Sequence, residues 1–428
     1  MSVLRAGRAG TLLMLAARNV RRQARRSVLT ASAMVMGLAL LVISRTLNEG
    51  SHESWIESGV RMASGHIAFQ NAAWGEQHQL EDRLSAVDLT LARQCLSDPR
   101  VARRVRAVTT RLVVDGLASS ATSAVPARLD GVDPATEPIF SQLDRKRVEG
   151  RDLIPEDRLS AYVGVELARR LHLHVGSRFV VTAQAASGEI VGQLLRVAGT
   201  FRTGVPEIDE SLIQIPLDTA RRWLGTGSGA TTLAVLLRSS RDTPAALHAL
   251  EDELRTRPHA GMTVLPWRRT SPELDSAVRI DDYGDWVFHG ILLSIVTLAI
   301  LNAVLMSVLY RRREFGILRA LGLTPVDAGA VVLVEGVLLT LASGVAGLAL
   351  GVGVVWGFWR HGLDVSGLMR HDFTVSGVVI DPVIVPRFVP EQLLQSVVFI
   401  LLMGVAASLY PALQAARIDP AGAMAMDR

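Results

Sequence analysis

Four apolar stretches, each long enough to cross a bilayer, divide this chain of 428 residues unevenly. One lies between Arg26 and Arg45, and the other three crowd the C-terminal third at 286–310, 328–359 and 392–411. About 240 residues of ordinary mixed polarity separate the first from the second, too many for a loop and enough for one or two folded domains. The spacing predicts an α-helical membrane protein with four transmembrane helices in a one-plus-three arrangement. A large α+β extracytoplasmic domain is inserted between the first and second. At 49% hydrophobic, the composition is more apolar than a typical soluble domain.

Charge sets the direction of crossing. Arg5, Arg8, Arg18, Arg21, Arg22, Arg25 and Arg26 precede the first span with no acidic residue among them, an excess that belongs on the cytoplasmic side. A cleaved signal peptide would have a shorter apolar core and a small-residue cleavage site. Ser27 to Ser44 is instead an uncharged run ending at Arg45, and reads as a retained anchor. Alternation then assigns 1–26 to the cytoplasm, 27–44 to span one and 45–284 to the outside. Span two (286–310) returns to a cytoplasmic segment, 311–325, whose Arg311, Arg312 and Arg313 obey the same rule independently. Span three (328–359), an outer loop (360–391), span four (392–411) and a cytoplasmic tail (412–428) complete the order. The loop holds Arg360, Arg370 and Arg387 against Asp364, Asp372, Asp381 and Glu391, with no positive excess. Within 1–26, Leu12, Leu13, Leu15, Ala16 and Val20 alternate with arginines at helical spacing. This predicts a basic amphipathic helix along the inner leaflet, among anionic lipid head groups.

Several chemistries are excluded or unsupported. Lys146 is the only lysine and follows Arg145, so no phosphate-cradling P-loop can form and the chain is not itself a P-loop ATPase. Cys95 is the only cysteine, which rules out an internal disulfide or a thiolate cluster and reads as a small core residue. His52-Glu53 is followed by Ile56 where a zinc-protease helix needs histidine. His172 and His174 alternate in a strand-like run and read as surface histidines, two ligands without a third. The net charge of +4 gives no footing for nucleic acid.

In the inserted domain, strands are expected at Gly65–Gln70, Val105–Leu112, Arg178–Gln184, Gln193–Thr200, Ser211–Ile215 and Thr231–Arg238. Helices are expected at Leu84–Ser97, Val165–Leu171, Leu217–Leu224 and Pro244–Thr256. Asp130, Asp133 and Glu137 surround Gly131 and Pro134 and are read as solvated turn carboxylates. Asp281, Asp282 and Asp285 read as an exposed stalk face. No catalytic constellation appears, and no metal site.

The cytoplasmic segment reads Arg311-Arg312-Arg313-Glu314-Phe315-Gly316-Ile317-Leu318-Arg319-Ala320-Leu321-Gly322, then Thr324-Pro325. It is expected to form a short helix along the membrane, with Phe315, Leu318 and Leu321 on one face, ended by Gly322 and followed by a helix opening at Pro325. Such a segment is suited to lie in a groove of another protein. It resembles the coupling segment of the FtsX-like (MacB-type) ABC transporter permeases. So do the tail Tyr410-Pro411-Ala412-Leu413-Gln414-Ala415-Ala416-Arg417-Ile418-Asp419-Pro420 and the entry Ala17-Arg18-Asn19-Val20-Arg21-Arg22. Within that superfamily the inserted domain is most similar to the lipoprotein-releasing (LolC/LolE-like) branch. The residues carrying that likeness are Ser64-Gly65-His66-Ile67, Gly131 to Glu137, and Gly199 to Gly204 with Glu207, Ile208 and Asp209.

The resemblance implies a non-catalytic permease subunit in the inner (cytoplasmic) membrane, with both termini cytoplasmic and the large domain periplasmic. It implies a separate ABC ATPase that holds ATP and Mg and docks on Arg313–Gly322, while this chain binds no cofactor. It further implies a second permease chain, identical or not, across a central cavity, and an outer domain of two subdomains. Lipoprotein extraction is the leading activity; drug or peptide efflux, and signalling to a cell-wall hydrolase, are the alternatives. Cargo acyl chains would enter between spans one and two, against Met34, Leu38, Leu41, Val287, Leu292, Val296 and Ile300.

Span three is rich in glycine; Gly347 with Gly351, and Gly353 with Gly357, have the spacing that lets helices approach closely, expected here against spans two and four. Glu335 lies about 12 Å beyond Asp327 along the helix and is expected to face protein or carry a proton, in a packing or coupling role. Asn302 is placed to hydrogen-bond between helices. The expected mechanism is mechanical: the segment 313–322 moves with the ATPase, and span two carries the motion outward as a stiff rod.

Overall fold

The computed structural model describes residues 24–77, 79–257, 261–364, 374–375, 378–379 and 383–419. The basic segment through Arg22, Pro420 and most of the loop 365–382 lie outside them. Two compact units result: one from Asp281–Val365, Val383 onward and the segment up to Ser51, the other from His52–Ile280 with Ser366–Pro382.

Counting helices of five residues or more, α1 runs Ala24–Met62 and contributes residues to both units. In the second unit follow β1 (Ile67–Asn71), α2 (Ala86–Leu96), β2 (Val105–Ser119), β3 (Ala124–Val132), α3 (Glu137–Ser141), β4 (Arg147–Gly150) and β5 (Ser160–Gly164). Next come α4 (Val165–Arg170), β6 (Arg178–Gln184), β7 (Ile190–Phe201), β8 (Leu212–Pro216), α5 (Leu217–Leu224), β9 (Thr232–Leu237), α6 (Thr243–Arg255) and β10 (Met262–Pro266). The strands form one sheet in the order β10-β1-β9-β2-β3-β8-β5-β7-β4, with β6 bridging β2 and β7. β2 is the hinge of this sheet: its first half pairs with β9 and its second half with β6, while β3 follows it from Arg111 to Ser119.

Among the described residues, the two larger hydrophobic cores on this sheet are these. One gathers Leu112, Leu129, Val163, Phe179, Leu195 and Ile213 with Leu167 and Leu224 of α4 and α5. The other gathers Phe69, Leu233 and Val235 with Leu89, Cys95 and Leu250 of α2 and α6. Local chemistry accounts for the elements. Ser85 and Asp88 close a capping box at the start of α2. In β6, Phe179, Val181 and Ala183 point inward while Arg178, Val180 and Gln184 face out, the period-two pattern of a half-buried strand.

Three expectations need correction here. Gly131 is not a turn residue; it lies in β3, where a methyl group would sit 2.6 Å from Ala220 Cβ, so glycine lets α5 pack onto the strand. Asp130 and Glu137 are accordingly buried rather than solvated, held by Arg128 at 2.9 Å and Arg111 at 2.6 Å. His172 and His174 are exposed but not in a strand: they follow α4 in a turn, with His172 at φ 54°.

The first unit holds α7 (Pro272–Tyr310, from Asp281 on), α8 (Arg312–Ala320), α9 (Pro325–Phe358) and α10 (Pro390–Ala416), with the first part of α1. Among the described residues three helices, α7, α9 and α10, are long and apolar enough to cross a membrane. Their buried residues, Val304, Val308, Val332, Ile400 and Ala407 among them, form a core that also takes in Met34, Leu38 and Leu41 of α1.

The glycines of α9 sort by neighbour, and not as expected. A methyl group at Gly347 or Gly351 would lie 2.6 Å from Leu38 Cβ or 2.8 Å from Val42 Cβ, so this pair faces α1 rather than α7 or α10. Gly336 and Gly329 are the ones that meet α10, at Ser408 and Ala412, whereas Gly353 and Gly357 have no neighbour within 4 Å.

Candidate functional site

α8 is set off from α7 by a single residue, Arg311, whose φ of −106° and ψ of 17° depart from helix. Its far end is closed by Gly322 in the left-handed region (φ 103°), where Leu323 N–H bonds Leu318 O at 3.0 Å and Gly322 N–H bonds Arg319 O at 3.1 Å. This is a Schellman ending, and only glycine adopts that φ without strain. Thr324 then caps α9 by accepting from Asp327 N–H at 3.2 Å, with Pro325 as its first residue. The turn chemistry read from Gly322 and Pro325, with the Thr324 cap added, is thus what shapes the segment.

The side chains of α8 divide into a rooted face and an open one. Phe315 and Gly316 are buried. Ile317, Leu318 and Leu321 are 44%, 40% and 79% exposed, and Val326 just beyond is 78% exposed. The expected face of Phe315, Leu318 and Leu321 is therefore split: Phe315 turns into the helical core, and the other two look outward beside Ile317. Arg312, Arg313, Glu314 and Ala320 are also exposed.

Two arginines root the segment. Arg311, nearly buried, lies over the Phe315 ring at 5.1 Å, pairs with Glu314 at 3.0 Å and with Glu335 of α9 at 2.8 Å. Glu335 also accepts from Ser307 Oγ of α7 at 3.1 Å. The glutamate expected to face protein therefore has a cation and a hydroxyl. Arg319 donates to Ala416 O at 3.3 Å and to Ile418 O, covering the carbonyl end of α10, where the helix dipole favours a cation. Arg319 thus faces back into its own chain. Sequence reasoning did not find Arg311 and Ser307, though a lone glutamate in an apolar span demands a cation and Arg311 was the first one after span two.

Elsewhere in this unit, Met34, Leu38, Leu41, Val296 and Ile300 are all buried in the helical core. Five of the seven residues expected to face cargo are therefore covered by their own chain, because the same apolar stripe that would suit an acyl chain suits helix packing. Leu292 is half-buried and Val287 is exposed. Asn302 is exposed and makes no hydrogen bond among the described residues, so it does not join helices within this chain. A cleft of about 410 Å³ lies instead among Ser44, Leu47, Asn48 and Ser51 of α1, Asp281, Gly284, Asp285 and Phe288 of α7, and Ile384.

Two family models match successive parts of the chain. Residues 27–253 match the MacB-like periplasmic core domain, and residues 286–420 match the FtsX-like permease C-terminal region. The lipoprotein-releasing system transmembrane protein LolC of Xylella fastidiosa is 26% identical over 339 residues, covering 77% of this chain and 79% of that one. LolC of Neisseria meningitidis is 25% identical, covering 69% of this chain and 72% of its own length. An uncharacterized ABC transporter permease of Methanocaldococcus jannaschii is 23% identical, covering 64% and 63% respectively.

Proposed function

This chain belongs to the FtsX-like ABC transporter permeases that carry a MacB-like periplasmic core domain, and we propose that within that family it drives release of lipoproteins from the inner membrane. The family is one of transmembrane permease components, which work with an ATPase partner. In the proposed complex the ATPase holds ATP and Mg, and this chain faces a second permease chain. The termini are cytoplasmic, α1 supplies the fourth span over 27–44, and the inserted domain is periplasmic.

The observation that carries the reading is the division of α8 into two faces. Ile317, Leu318 and Leu321 offer an apolar surface to a partner, while Arg311 and Arg319 tie the back of the helix to α9 and α10. A push on the open face is then shared among three helices, rather than passed up α7 alone. The LolC relatives support lipoprotein as the cargo. Withdrawing a lipid anchor opposes about 0.8 kcal/mol per buried methylene, a cost that calls for ATP.

The test is co-purification in mild detergent with Ile317→Asp and Leu321→Asp. The expected result is loss of the ATPase from a complex that otherwise contains a lipidated protein, with thermal stability of the chain unchanged. Retention of the ATPase by the double variant would overturn the docking assignment. Absence of any lipidated protein from the intact complex, with or without nucleotide, would overturn the cargo assignment.

A further inference from the structure

The C-terminal end of α1 lies in the second unit, and its last carbonyls are satisfied one by one. Ala63 N–H bonds Gly59 O at 3.0 Å, and Gly65 N–H bonds Val60 O at 2.8 Å. The next three carbonyls go to a single guanidinium, Arg111 of β2. It donates to Arg61 O at 3.2 Å, to Met62 O at 3.4 Å and to Ala63 O. Its counter-charge is Glu137 at 2.6 Å, and the two side chains are only 3% and 4% exposed. Glu137 also accepts from Thr109 Oγ1 at 3.1 Å.

The arrangement is reciprocal. Arg61, in the last turn of α1, reaches back to Phe140 O at 3.0 Å at the C-terminal end of α3 and is steadied by Glu57 at 2.6 Å. The Phe140 ring lies 4.9 Å beneath the Arg111 guanidinium. Each helix end is thus covered by an arginine belonging to the other side of the knot, and Glu137 sits in the first turn of α3, where the dipole favours an anion.

A buried ion pair is a poor source of stability, since well-packed apolar residues often serve as well. What this one supplies is a fixed position: one planar fork aimed at three carbonyls defines where α1 ends against β2. We propose that Arg111 and Glu137 are positioning residues that clamp α1 to the central strand of the inserted domain, so that displacement of the helix moves the sheet with it. The proposal rests on the permease reading above. Without the clamp the last turns of α1 slip against β2, and ATP is spent without moving the domain.

Arg111→Lys keeps the charge opposite Glu137 but cannot span three carbonyls; Glu137→Gln keeps the shape and removes the charge. Both are to be made in the full complex with its ATPase, reconstituted with a triacylated lipoprotein. Three quantities are read: hydrogen exchange over residues 57–65, ATP turnover, and lipoprotein released per ATP. The expected result is exchange faster by about tenfold in that segment, ATP turnover within about twofold of the parent, and release per ATP down by about tenfold. Faster exchange with unchanged release per ATP would overturn the coupling role. Unchanged exchange in both variants would overturn the clamp itself. If one variant fails to assemble, the other decides by the same criteria; failure of both to fold overturns the claim that the pair serves position rather than folding. A parent complex that releases no lipoprotein counts against the cargo assignment, and hydrogen exchange still judges the clamp.

Discussion

Arg311 and Glu335 meet at 2.8 Å, joining the break between α7 and α8 to the third turn of α9, with the arginine 6% and the glutamate 14% exposed. Removing Glu335 leaves the buried Arg311 with only the exposed Glu314 as its counter-ion. Glu335→Ala is expected to lower stability by about 3 kcal/mol, and Arg311→Met with Glu335→Leu to recover most of that loss. Thermal unfolding in detergent measures both. The double variant is also expected to lose ATP-coupled activity, because α8 is then no longer tied to α9.

His66 follows the end of α1, is buried, and its Nδ1 accepts the Leu237 amide at 3.2 Å. Burial pushes its pKa down to about 4, against smaller upward pulls from Glu57 and Glu53. The unfolded chain, with an ordinary imidazole near 6.5, therefore binds more protons than the folded one between these values. The stabilisation is fully present above that ordinary pKa, and is lost as pH falls from there toward 4. The loss is expected to be about 2 kcal/mol between pH 7 and pH 5. Denaturant midpoints of the full chain followed by tryptophan fluorescence are expected to show it, and His66→Gln to flatten the slope.

Gly347 of α9 lies against α1, where an added methyl would meet Leu38 Cβ at 2.6 Å and Val35 O at 3.0 Å. Gly347→Val must push the two helices apart and is expected to cost about 1–3 kcal/mol. Gly353→Val, at a position with no neighbour within 4 Å, is expected to be neutral. Paired unfolding midpoints compare the two; equal effects would contradict the contact.

Asn302 is exposed on α7 near the middle of an apolar span and finds no partner among the described residues. Asn302→Leu is expected to leave the stability of the single chain within about 0.5 kcal/mol. A polar amide at bilayer depth is worth about 0.6–2 kcal/mol when another helix bonds it, so association with the proposed second permease chain is expected to weaken. Site-directed cross-linking of the two permease chains in membranes measures this.

Much of the architecture was legible along the chain because its signals are local. Apolar length predicted three spans that appear as α7, α9 and α10, and Gly322 and Pro325 announced the turn between α8 and α9. Leu217–Leu224 and Arg178–Gln184 appear with the bounds expected of them. Asp130 and Glu137 were misread for an equally local reason. Gly131 and Pro134 look like a turn, and nothing nearby in sequence says that α5 packs on Gly131 or that Arg111 waits 26 residues upstream.

The sequence by itself determined where the three apolar helices α7, α9 and α10 run, that a long insertion of mixed polarity precedes them, and that no phosphate loop can form, since each depends on length, period or residue type. Only the tertiary structure decided which face of each helix is covered: that Leu38 packs on Gly347 instead of facing outward, that Phe315 turns in while Leu321 turns out, that Arg111 and Arg319 each close the end of a distant helix, and that Arg311 meets Glu335 within α9. An apolar stripe is equally content against lipid, cargo or another helix, and an arginine against any carbonyl end. The choice among them is made by long-range packing, which no local pattern encodes.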